Sequence, residues 1–293
     1  MHFKKLTAAD RVRLDPALQN ANREARMRDF SFFSLFMWAE ICEVELAEEE
    51  GIFFIRSYDD LLAEPIYAIP HTGQTLLYGV ELLKKELPQG FTLRSLSEEC
   101  RDLLEKTYGD GVKITALDAE QDYLYRLADL AAMQGRKFAA KRNHIAALLR
   151  ENASIQYEPV TAENLAAVCA LHKAYRKNGE DENEEAHYEG DAVDRVLANF
   201  EALAPVGGLL RANGQPVGFF LGELQGDTLY LHVEKALREL RGAYPMLVRE
   251  TAAAYLPKAA YENREEDDGD EGLRRSKESY RPCCKLKKYR ATF

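Results

Sequence analysis

Two stretches of the chain hold the residue types of proton transfer and anion binding. In "HVEKAL" (residues 232 to 237) a histidine and a glutamate lie two apart in a run that alternates as a strand does. Strict alternation puts His232, Glu234 and Ala236 on one face, with Val233 and Lys235 on the other. An imidazole beside a carboxylate can take a proton from an attacking nucleophile, with Glu234 the first choice of base and His232 the second. A structural hydrogen bond is the competing use of the same pair. In "NREEDDGDEGLRRSKESYRP" (263 to 282) an acidic cluster gives way to basic residues. As a helix from Asp270 onward, this segment sets acid at its positive end and base toward its negative end. Arg274, Lys277 and Arg281 then fall at i, i+3 and i+7, one stripe of cations fit to line a groove wall. "DDGDEG" lacks the D-x-D-x-D-G spacing of a calcium loop, so no metal is expected. "KFAAKRNHI" spaces Lys137, Lys141 and His144 helically, with Arg142 and Asn143 beside them, as a phosphate-contacting face or an exposed basic helix.

The elements that must hold these groups follow from periodicity and punctuation. In the first half, "AADRVRLDPALQNA" after Thr7 predicts a helix broken near Pro16, and "EVELAEEEGIFFIRSY" a hairpin about Gly51. Strands at "EPIYAIPH", "FTLRSL" and "VKITALD" alternate with helices "GQTLLYGVELLKKELP" and "SEECRDLLEKTYG", the latter capped by Ser97 and stopped at Gly109. The second half runs helix "RKFAAKRNHIAALLREN", strand "IQYEPV", then a helix from Thr161 to Gly179. An acidic loop (180 to 191) and helix "GDAVDRVLANFEALA" lead to three strands joined by the tight turns "ANGQ" and "QGD". Helix "GAYPMLVRETAAAYL", strand "AAYENRE", helix "EGLRRSKESY" and a single strand "CKLKKYRATF" complete it.

A length of 293 residues suits one large α/β domain or two of about 140. A net charge of −10 argues against indiscriminate nucleic-acid binding, which needs many cationic contacts to phosphate, though local basic grooves stay open. The most apolar stretch, "FSFFSLFMWA", is far short of the roughly 20 residues of a membrane span. The N-terminal residues lack an apolar run with a cleavage site, and five cysteines in no paired or zinc spacing suggest reduced thiols. A cytoplasmic protein is expected.

In the second half, the order strand, two helices, three antiparallel strands, helix, strand, helix, strand resembles the GNAT acyltransferase fold. Such folds seat the donor's phosphates on free amides at the start of the helix after the third antiparallel strand. Four ordered blocks, "KRNHI" (141 to 145), "HVEKAL", "RGAYPML" (241 to 247) and the 263 to 282 segment, are similar to the soluble family that matches the C-terminal domain of phosphatidylglycerol lysyltransferases. The resemblance covers essentially the whole chain. It implies an α/β (α+β) protein of two tandem GNAT-like halves, each a mixed, largely antiparallel sheet flanked by helices. The halves are 1–125 and 126–293, the second carrying the active site. It also implies kinship in fold with Fem-type transferases that use aminoacyl-tRNA.

The implied activity is transfer of an activated acyl or aminoacyl group to an amine or hydroxyl. The donor is aminoacyl-tRNA or similar; acyl-CoA-dependent N-acetylation and a non-catalytic ligand-binding role are the alternatives. Either donor enters as a co-substrate, with no tightly bound cofactor. Arg241, Gly242, Ala243 and Tyr244 form the donor corner, where acetyl-CoA enzymes show R/Q-x-x-G-x-G/A and this chain puts Tyr244 and Met246 at the two small positions. Lys277 looks like the counterpart of a Fem-type lysine that stabilises the oxyanion or the donor phosphate. Asp267 and Asp268 would bind the ammonium of an amino-acid substrate. Asn263, Arg274, Tyr280, Arg281, Lys141, Arg142, Asn143 and His144 complete the implied contacts.

Overall fold

The computed structural model describes residues 1–58, 64–179 and 184–293. Fourteen strands are present among them. In chain order they are β1 (Lys4–Lys5), β2 (Glu45–Glu49), β3 (Ile52–Ser57), β4 (Ile66–Ala68), β5 (Thr92–Leu96), β6 (Lys113–Ala116), β7 (Asp122–Arg126), β8 (Ile155–Pro159), β9 (Val206–Ala212), β10 (Gln215–Gln225), β11 (Thr228–Ala236), β12 (Tyr261–Asn263), β13 (Cys284–Leu286) and β14 (Tyr289–Thr292). They form two sheets, β1-β2-β3-β4-β5-β14-β6 and β13-β7-β12-β11-β10-β9-β8. The chain divides into two compact units. The first is Met1–Asp122 with Glu266–Asp270 and Lys285–Phe293; the second is Tyr123–Glu265 with Glu271–Cys284. The division departs from contiguous halves at 125/126 because two late segments return to the first unit.

In the first unit, β2 and β3 join through Glu50 and Gly51, both at positive φ (52° and 77°). Two such residues in a row make the turn whose twist matches the flanking strands. Leu76, Val80 and Leu83 line one stripe of helix Gly73–Glu86 and bury with Phe54 and Leu93, so the helix carries the chain over to β5, parallel to β4. Helix Glu98–Tyr108 starts where the Ser97 hydroxyl accepts from the Cys100 amide (3.2 Å). Strand β14 pairs antiparallel with both β5 and β6. Helix Arg11–Ala25 runs straight through Pro16 instead of breaking there. Pro16 deprives the Val12 carbonyl of its partner, and Val12, 84 % exposed, leaves that carbonyl open to water.

The second unit repeats the pattern. Strands β8 to β11 are antiparallel, and helix Ala243–Tyr255 crosses to β12, parallel to β11. The helix buries Met246, Leu247, Val248 and Ala252 in a core with Phe220, Leu229 and Leu231, closed by helices Leu127–Ala132 and Ala139–Glu151. Strand β7, within a stretch with no expected element, pairs antiparallel with β12, and β13 lies beyond it. "CKLKKYRATF" is therefore two strands in two sheets, parted at Lys287 and Lys288. Of the acidic loop expected over 180 to 191, residues 180–183 lie outside the described residues; from Glu184 the chain is helix to Ala198.

Candidate active site

The second unit's candidate residues gather around β11 and the segment after β12. A bulge decides which way β11 points its side chains: Leu221 pairs with Val233 and Gly222 with Leu231, leaving His232 as the extra residue. Gly222 is required opposite, since a Cβ there would come within 1.9 Å of the Tyr230 carbonyl oxygen. The expected shared face of His232 and Glu234 is therefore not formed. His232 stacks on Tyr230 (6.3 Å between centroids), whereas Glu234 falls on the side of Ala236, which faces the helical core.

His232 is fully enclosed between carboxylates, with Nδ1 2.7 Å from Glu265 and Nε2 3.7 Å from Glu223. Burial alone would lower its pKa, but the hydrogen bonds to Glu223 and Glu265 push it up to about 9. The ring is thus an imidazolium at neutral pH and has no lone pair to take a proton.

Glu234 is paired with Arg264, 30 positions along the chain and marked by no local sequence signal. Arg264 also stands 3.6 Å from Glu262, on β12. Both side chains of the Glu234–Arg264 pair are only 10 % exposed. One oxygen of each glutamate, Glu234 Oε1 and Glu262 Oε2, is buried with no hydrogen-bond partner. Burial raises the pKa of Glu234 against the pull of Arg264, Lys277 and Lys141, and lifts Glu262 to about 7 against Arg264. One guanidinium cannot neutralise two buried carboxylates.

Aromatic rings enclose the pair. The Arg264 guanidinium lies 5.1 Å over Tyr280 and 5.9 Å over Tyr125. Lys141, from helix Ala139–Glu151, sits 3.7 Å over the Tyr280 ring. Lys277 donates to the Arg264 carbonyl (2.7 Å), and Tyr125 donates to the Lys277 carbonyl (2.8 Å), fixing helix Glu271–Ser279 against β7. Sequence singled out Glu234, Lys277, Tyr280 and Lys141, and the fold brings these four together.

Others are placed elsewhere. The helix ends at Ser279, and Arg281 turns left-handed (φ 60°) and exposed, so it does not extend the stripe of Arg274 and Lys277. Asn263 is wholly buried, its side chain accepting from the Glu265 amide (2.7 Å), a turn-forming role. Asp267 accepts from the Gly269 amide (3.0 Å), and with the exposed Asp268 it belongs to the first unit. Arg142 donates to the carbonyls of Met133 and Gly135 (2.6 and 2.7 Å), holding the loop before its helix, while Asn143 is exposed and His144 half-buried.

The donor corner is built tightly. Gly242 has φ 98°, and a Cβ there would come within 2.3 Å of the His144 carbonyl oxygen, so the glycine is needed for packing on the neighbouring helix. The amide of buried Ala243 donates to Leu240 (3.0 Å) and Pro245 has none, so two first-turn positions offer nothing to a phosphate. Tyr244 fills the position between them, its hydroxyl 3.3 Å from that of Tyr175, and Arg241 is exposed. Among the described residues no group of metal-ligating side chains occurs, and no helix is long and apolar enough to cross a membrane.

Comparison with known proteins places this architecture. A conserved protein of unknown function from Bacteroides thetaiotaomicron is 31 % identical over 99 % of both chains, with a TM-score of 0.89. L-PGS from Bacillus licheniformis shares the fold at 12 % identity (TM-score 0.61, 94 % of this chain and 90 % of that one). FemX does so at 9 % identity (TM-score 0.58, 99 % and 97 %). None of the curated proteins compared with it matches. The family model for the C-terminal region of phosphatidylglycerol lysyltransferase matches residues 22–292, and the chain belongs to that family.

Proposed function

We propose that the second unit is the catalytic part of an acyl- or aminoacyl-transferase that moves an activated acyl group onto an amine or hydroxyl by direct attack. The observation that carries this reading is the buried Glu234 carboxylate, one oxygen held by Arg264 and the other unpartnered, on the strand leading into the donor corner. A general base needs an available lone pair and a pKa lifted toward the working pH; burial supplies the lift. The acceptor's nitrogen or oxygen forms the new bond to the acyl carbon as the donor's C–O or C–S bond breaks. Its proton passes to Glu234 and on to the departing oxygen or sulfur. Lys277, close enough to pull on the Glu234 charge, supplies the cation that stabilises the oxyanion. His232, already protonated, positions the strand and is not the base.

The donor corner supports an aminoacyl-tRNA or similar donor over acyl-CoA, because it offers few amides and seats Tyr244 where a pyrophosphate would lie. The test is thermal stabilisation of the native protein against acetyl-CoA, longer acyl-CoAs, free amino acids and charged tRNA. An amino acid or its charged tRNA is expected to raise the melting temperature, with CoA species silent. Turnover of an identified substrate pair is expected to fall about a hundredfold or more in Glu234→Gln. Undiminished turnover in both Glu234→Gln and Lys277→Ala would overturn the assignment; a shift with acyl-CoA alone would favour the N-acetyltransferase reading.

A further inference from the structure

Lys141 stands apart from the other cations of the site. It makes no ion pair or hydrogen bond among the described residues, and its ammonium rests 3.7 Å over the ring of Tyr280. The same ring carries the Arg264 guanidinium at 5.1 Å. Arg264 has claimed Glu234 and approaches Glu262. Two cations held against one ring repel each other, and a guanidinium cannot shed its charge. The lysine can, by releasing a proton, and half-burial of its stem favours that release.

We propose that Lys141 is a nucleophilic lysine, a modification site that small activated acyl compounds such as acyl phosphates acylate directly. In the step, the neutral Nζ lone pair attacks the acyl carbon. The C–N bond forms as the C–O bond to phosphate breaks, and the nitrogen's surplus proton leaves with the phosphate. Acylation removes one positive charge beside Arg264 and Glu234. The inference does not need the protein to be a transferase, since the reagent brings its own leaving group.

Burial and the Arg264 charge lower the Lys141 pKa to about 8. Near neutral pH that raises the reactive fraction roughly two hundredfold over an ordinary lysine, and reduced basicity returns more than tenfold of it, leaving a net advantage of about tenfold. The experiment is to treat the full-length protein with acetyl phosphate and follow acetylation of each lysine by peptide mass spectrometry. Lys137, in the turn before the same helix and over its own ring (Phe138, 5.3 Å), is the internal control. Lys141 is expected to react about tenfold faster than Lys137 in the native protein and no faster in guanidinium. Equal native rates would overturn the proposal, and so would an advantage that survives denaturation. Labelling is expected to persist in Glu234→Gln, because direct attack needs no protein base; its loss there would count against the proposal. A protein labelled at Lys141 that transfers nothing to any external acceptor would sink the transferase reading and leave this one standing.

Discussion

Replacing Lys288 by methionine tests how the first unit is held together. Lys288 is 2 % exposed, with its ammonium 2.6 Å from Asp29, 2.7 Å from Asp122 and 3.4 Å from Glu266. Arg28 pairs with Glu266 through its guanidinium and donates its amide to Asp122 (2.8 Å), and Ser95 donates to Asp29 (2.7 Å). Two cations thus contact three buried carboxylates, and Arg94 acts on Asp29 from farther off. Burial and its acidic neighbours lift Asp122 to about 7 against the pull of Lys288. For Glu266 burial is outweighed by Arg28 and Lys288, which hold it down near about 2. Lys288→Met keeps the length of the stem and leaves the three carboxylates with Arg28 as their one contacting cation and Arg94 more distant. Breaking a buried pair from one side costs about 3–5 kcal/mol, and the loss of three partners at once points to the upper end at mildly alkaline pH. The cost shrinks in acid. Asp122, with its folded pKa above the unfolded value, already makes stability fall as pH rises between about 4 and 7. Without Lys288, Asp29 and Glu266 lose a cation that held their protons off, so they add to that slope. Thermal melts by far-UV circular dichroism should show a loss of roughly 10 °C near pH 8 and distinctly less near pH 5. A loss within about 2 °C at the higher pH, or equal losses at both, would refute the reasoning.

Three further outcomes follow from the second unit. His232→Gln should destabilise, because Glu223 and Glu265 lose their shared cation. The wild-type contribution, up to about 3 kcal/mol, is whole below pH 6.5 and lost as pH rises through about 9, so the two proteins' melting temperatures should converge in alkali. Gly242→Ala combines a φ of 98° with a Cβ 2.3 Å from the His144 carbonyl oxygen, and should cost about 2 kcal/mol or more in urea unfolding; a neutral result would mean that the helix slides freely at this corner. Arg264→Lys keeps the charge but cannot span Glu234 and Glu262 together. Transfer activity should drop while the fold is retained, and full activity with an unshifted pH profile would remove Arg264 from the positioning of Glu234.

Much of this fold is legible in local pattern, because the signals that set it are local. The tight turns at 50–51 and the Ser97 cap mark their elements whatever surrounds them, and so does the amphipathic stripe of Leu76, Val80 and Leu83. The site is legible only in part, because its geometry depends on pairings between distant strands. Alternation alone gives His232 and Glu234 one face; the bulge that parts them needs β10 to offer Gly222 opposite Leu231, where the Tyr230 carbonyl leaves no room for a Cβ. Arg264 stands in a run read as strand and acid, and nothing local marks it as the partner of Glu234. That role appears once β12 lies parallel to β11 and the chain leaving β12 passes the end of the neighbouring strand. The sharp reversal of charge from 263 to 282 shows the limit most clearly. As sequence it is one acidic cluster before one basic helix, and the helix dipole accounts for both. In the fold, adjacent acids serve separate ends. Glu265 holds the imidazolium of His232, Glu266 neutralises Arg28 and Lys288, and Asp267 closes a turn on Gly269. Each of the first two has a cation more than twenty residues away, so part of the local density of charge answers buried cations that pass this point, while Asp268, Asp270 and Glu271 stay exposed.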